Sequence, residues 1–223
     1  MSSSILRRTE NVAQQPQTRY SAGRFPAQIT SREIDDSLLN FWSASRTGDP
    51  ARRFLYSYRI IEYASFSYLE LNCRISVRKL LAARNALDDL VTLAERVMNA
   101  VQETKLSDVQ KLEALLKETV DPALLWREVA RNLAAFTTEV RFDGGFTLSG
   151  IARVGWKEED FAVNGISSFA GAIRNIRNAL SHGRDLRTSA VITPTAHNFE
   201  RLQPWTSLIA VAAAEVMVYR DAG

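Results

Sequence analysis

Cysteine is almost missing from this chain: Cys73 is the only one in 223 residues. A single cysteine excludes an internal disulfide, and the lack of a disulfide framework fits a reducing compartment. Set in a helical stretch, Cys73 reads as a small buried hydrophobe. Histidine is nearly as scarce. With His182 and His197 alone, a histidine-rich metal site is excluded, and no Cys/His cluster has metal-ligand spacing. Neither a metal nor a cofactor is therefore expected. A glycine-rich phosphate loop and a nucleophile elbow are also missing. The longest apolar run, Leu208 to Val218, is interrupted by Glu215 and is too short to span a bilayer. Met1 to Arg8 has no apolar core of the kind a secretory signal needs. These absences lead to the expectation of a cytoplasmic protein without a membrane partner.

What is present is an ordinary globular composition, 46% hydrophobic and 24% charged, enough to bury a real core. The formal net charge is +3, and arginine greatly outnumbers lysine. Arginine's planar fork pairs two-pronged with phosphates, which suits nucleic acid. Codon bias in a GC-rich genome would give the same skew.

Helical spacing dominates the chain. Residues 1–25 are rich in Ser, Gln, Thr, Asn and Arg without periodicity and read as a flexible N-terminal arm. Residues 26–223 read as a single helical domain. A capping box at Thr30-Ser31-Arg32-Glu33 is expected to start the first helix, and Asp49-Pro50 the second. The second carries Phe54, Tyr58, Ile61, Phe66, Tyr68 and Leu69. A further helix is expected over roughly 77–101. Ser107 with Gln110 and Asp121-Pro122 mark two more starts. Between 139 and 155 the pattern changes: Val140, Phe142, Phe146 and Leu148 flank Asp143-Gly144-Gly145, predicting a short hairpin or loop insertion. Helix is expected again from about Gly165 to His182, stopped by Gly183, and once more after Thr193-Pro194. No repeat and no strand–helix alternation is present, so the fold class is all-α, an up-and-down helical bundle.

One segment carries chemistry: Ile176-Arg177-Asn178-Ala179-Leu180-Ser181-His182-Gly183. At 100° per residue, Ile166, Phe169, Ile173, Ile176 and Leu180 form one stripe facing the core. Arg177 lies at its edge, and Arg174, Asn178, Ser181 and His182 face away. At a helix end the dipole favours protonated histidine. Arginine there can hold a scissile phosphate and offset developing charge, while histidine moves protons near neutrality. In RNA the neighbouring 2′-hydroxyl supplies the nucleophile, so few protein groups suffice. The plainer reading is that His182 only ends the helix and caps carbonyls. His197, beside Asn198 in a loop, has no evident partner and is expected at the surface.

Glu62 lies on or beside the apolar face of Leu55, Tyr58, Phe66 and Leu69, where a carboxylate is costly unless paired. A pair with Arg177 across the bundle is one solution. A local pair with Arg59, or a position at the surface, is the other.

The Arg177–His182 string resembles the Arg-x4-His signature of the HEPN superfamily, in which Arg-Asn at the start and His-Gly at the end recur. Arg53-Phe54-Leu55-Tyr56-Ser57-Tyr58-Arg59-Ile60-Ile61-Glu62-Tyr63 resembles the opening helix of its ApeA/MauJ-like branch, and Pro194 before a long apolar helix fits too. The resemblance covers about residues 30–220. It implies a HEPN-like bundle that forms a homodimer and cleaves RNA without metal, in toxin–antitoxin or antiphage settings with an antitoxin or defence-system partner. Arg177, Asn178 and His182 would be catalytic, Glu62 and Ser181 would support them, and Arg174, Arg184 and Arg187 would contact RNA. The alternative is a non-catalytic HEPN module that binds nucleotide or RNA, or only a partner protein.

Overall fold

Cap chemistry sets where most of the helices begin. The computed structural model describes residues 35–84, 88–102, 106–181 and 190–219, and of 69–72 the backbone only. Helix α1 (Asp36–Ser45) is capped by Asp35, whose carboxylate accepts from the Ser37 N–H. The expected Thr30-Ser31-Arg32-Glu33 box lies outside the described residues, together with the expected arm. Helix α2 (Pro50–Ala82) starts as expected, with the Asp49 carboxylate accepting from the Arg52 N–H and proline in the first turn.

Two expected boundaries are corrected. The helix expected over 77–101 is not one element: residues 77–82 finish α2, and α3 (Leu90–Gln102) follows separately. Asp89 accounts for the restart, since its carboxylate accepts from the Val91 and Thr92 N–H groups and the Thr92 hydroxyl. The penultimate helix, α7 (Glu158–Ser181), begins seven residues before Gly165. Its first turn carries Glu158, Glu159 and Asp160, which favour the positive end of the helix dipole. The Asp160 carboxylate also accepts from the Lys157 N–H. Gly165 sits inside the helix because the Phe161 ring lies across it; a Cβ there would fall 2.2 Å from a ring carbon.

Between these lie α4 (Asp108–Thr119), opened by a full Ser107/Gln110 capping box, and α5 (Pro122–Arg131), capped by Asp121. A break at Asn132 precedes the short α6 (Leu133–Thr137). The expected hairpin follows: β1 (Val140–Arg141) pairs antiparallel with β2 (Thr147–Leu148), Val140 opposite Leu148. Its turn needs glycine, since Gly144 has φ +104° and a Cβ there would lie 2.3 Å from the Val191 carbonyl oxygen. Helix α8 (Ala196–Tyr219) completes the chain as described.

The result is an all-α helical bundle. Helix α8 lies mainly against α2, and α7 against α4, α5 and α2. Phe54, Phe136, Phe161, Phe169 and Trp205 fill the centre, with Phe136 edge-on to Trp205. Among the described residues, no helix is long and apolar enough to cross a membrane.

Candidate functional site

Helix α7 divides as its periodicity requires. Ile166, Phe169, Ile173 and Ile176 are buried, and Leu180 packs half-buried beside them. On the other side Arg174 and Ser181 are exposed, while Arg177 and Asn178 are half-buried at the edge of the core stripe. His182, Arg184 and Arg187 lie outside the described residues.

The second wall comes from one turn of α2. Glu62 is 23% exposed and Arg177 24%, and the two meet across the bundle, Arg177 Nη2 to Glu62 Oε1 at 3.5 Å. Glu62 also takes a local partner, Arg59, at 2.5 Å from Oε2. Both pairings weighed from the sequence therefore coexist, with the carboxylate bridging two guanidiniums. The second arm of Arg177 is held as well: Nη1 donates to the Asn178 side-chain oxygen at 3.1 Å. Its guanidinium carbon stands 5.8 Å from the centroid of the Tyr58 ring, within cation–π range.

Tyr58 is 6% exposed, and it is the neighbour of Arg177 that sequence reasoning missed. It counted there only as one apolar member of α2. Burial, and then the Glu62 charge, push its hydroxyl above the usual tyrosine range, while Arg177 and Arg174 pull it down. The available signal was its i, i+4 spacing to Glu62, which puts both on one face.

The chain matches no family model, no curated protein and no solved structure.

A fixed guanidinium at the edge of an apolar stripe can hold an anion in a defined orientation, which a free surface arginine does only at the cost of ordering its long side chain. Among the described residues, no group of three His, Cys, Asp or Glu side chains is placed to hold a metal ion.

A second polar cluster lies between the hairpin turn and the start of α8. His197 is not in a partnerless loop. It sits in the first turn of α8, its Nδ1 3.3 Å from both Asp143 carboxylate oxygens. The Thr195 hydroxyl donates to Asp143 Oδ2 at 2.9 Å. These contacts, Thr195 first and then His197, hold the Asp143 carboxyl below its usual range. Asn198, fully buried, brackets the backbones of Asp143 and Thr193. Some 50 residues separate the partners, so no local pattern announces them; only the Asp-Gly-Gly and Thr-Pro-Thr strings mark the two ends.

Proposed function

We propose that this chain is a metal-independent endoribonuclease of the HEPN kind, serving as a toxin or antiphage effector in the cytoplasm. The observation that carries the reading is the clamped Arg177, held by Glu62, Tyr58 and Asn178 on the solvent-side strip of the helix whose sequence leads into His182.

In this reading Arg177 binds the scissile phosphate and offsets charge building on its oxygens. Proton transfer falls to His182: the 2′-hydroxyl loses its proton, its oxygen attacks phosphorus, and the 5′-oxygen leaves as an alcohol after receiving a proton. The products end in a 2′,3′-cyclic phosphate and a 5′-hydroxyl. Asn178 and Ser181 orient Arg177 and the substrate, and Arg174, Arg184 and Arg187 take flanking phosphates. A homodimer sets two such strips face to face, and an antitoxin or defence-system partner controls the site. The experiment is incubation with RNA and with DNA of the same sequence in EDTA: RNA alone should be cut, leaving cyclic-phosphate ends.

The runner-up is a non-catalytic HEPN module that binds RNA or nucleotide, or serves as a protein-interaction module. One observation favours it: both terminal nitrogens of Arg177 already have side-chain acceptors, Asn178 and Glu62. Uncut RNA that nevertheless binds tightly would select this reading.

A further inference from the structure

Helix α2 brings to the strip a cation that neither the Arg-x4-His string nor the apolar periodicity marks. Arg59 is 53% exposed, and its visible partner is Glu62, three residues along the same helix. Glu62 is also the carboxylate that meets Arg177. Arg174 lies three residues before Arg177 on α7, so the two share one face of that helix, and it is exposed. Two guanidiniums, from two helices, therefore meet a single half-buried carboxylate, and a third stands one turn before Arg177 on α7. A second carboxylate, Asp108 of α4, acts on Tyr58 more weakly. Counting both acids, the group carries an excess positive charge.

We propose that Arg59, with Arg174 and Arg177, forms a subsite for the phosphodiester backbone of an RNA strand, and that Glu62 holds Arg59 until a phosphate displaces it. The proposal rests on the RNA reading above, in either its catalytic or its binding form. Exposed ion pairs at this spacing hold weakly. A phosphate offers a guanidinium two oxygens in the geometry of its fork, so the exchange at Arg59 favours the incoming anion. Arg177 differs: Tyr58 and Asn178 hold it in place in addition to Glu62. Arg59 supplies grip and Arg177 supplies position.

The test uses the full chain and a fluorescein-labelled 2′-O-methyl oligoribonucleotide, which has no free 2′-hydroxyl and is not cleaved. Anisotropy gives the Kd from about 50 to about 200 mM salt. Arg59→Ala should weaken binding and reduce the slope of log K against log salt by about 0.7, the loss of one single-strand phosphate contact. Glu62→Gln should tighten binding by about two- to fivefold, because the competing charge is gone. Arg131→Ala, which breaks an exposed pair of the same spacing with Glu128 elsewhere, should leave both quantities unchanged. An unchanged slope for Arg59→Ala beside normal wild-type binding would overturn the subsite alone. Weaker binding by a Glu62→Gln protein that melts like the parent would also overturn it. Failure of the wild-type protein to bind the probe would instead overturn the RNA reading on which the subsite rests.

Discussion

Replacing Asn198 by alanine should cost this fold about 2–4 kcal/mol, from three lost hydrogen bonds and one backbone N–H left without its partner. Asn198 is fully buried. Its side-chain oxygen accepts from the Asp143 N–H at 2.8 Å, and its amide donates to the carbonyls of Asp143 at 2.9 Å and Thr193 at 2.8 Å. The Asp143 carbonyl keeps other donors, the Thr193 N–H and hydroxyl. The Thr193 carbonyl likewise keeps the Thr195 N–H at 2.8 Å, so the Asp143 N–H is the backbone group that loses its partner. Three lost bonds at about 1 kcal/mol net, with the desolvation of the Asp143 N–H left behind, give the range stated. That is a large share of a total near 5–15 kcal/mol. It corresponds to a fall in Tm of roughly 4–16 °C for a domain of this size. Asn198→Asp keeps the shape but aims a carboxylate at two carbonyls, so at neutral pH it should be at least as damaging. Urea unfolding followed by circular dichroism reads all three proteins. An Asn198→Ala protein within about 0.5 kcal/mol of the parent would refute the bracket as a stabilising element.

Other expectations follow from the same contacts. Arg177→Ala should lower RNA cleavage by roughly two to four orders of magnitude, and Arg177→Lys should restore little, because a point charge cannot bridge two phosphate oxygens. Initial rates on a defined oligoribonucleotide measure both. Asp143 is held below its usual range in the folded chain, so its contribution is present above the ordinary aspartate range and is lost as pH falls through the lowered value. Asp143→Asn should therefore flatten the acid limb of a stability–pH profile measured by urea midpoints. Light scattering at micromolar concentration should give a dimer, and a monomer would count against two facing α7 strips.

Where order is set by neighbours in sequence, the residues announce it. Asp49-Pro50, Ser107 with Gln110 and Asp121-Pro122 open helices because each satisfies backbone donors within its own turn. The face of α7 was legible for a similar reason, since Ile166, Phe169, Ile173 and Ile176 take the core side and leave Arg174 and Ser181 exposed. Apolar content was a poorer guide to helix ends: leucines recur on both sides of 83–89, at Leu80, Leu81, Leu90 and Leu93, and Asp89 marks the restart. Gly165 looked like a boundary, yet its missing Cβ makes room for Phe161. Tertiary partners were least visible. The sequence allowed Glu62 either Arg59 or Arg177, and packing gives it both. Asp143 and Asn198 meet across 55 residues, through side chains that would look equally at home in any turn.

The rate of RNA cleavage by the His182→Ala protein, in EDTA and beside the parent, bears most directly on the proposed chemistry. If His182 transfers the proton and Arg177 holds the phosphate, the variant should fold and dimerise like the parent and cut roughly two to four orders of magnitude more slowly. Cleavage by His182→Ala at the parental rate would contradict the nuclease assignment and leave a binding module in its place.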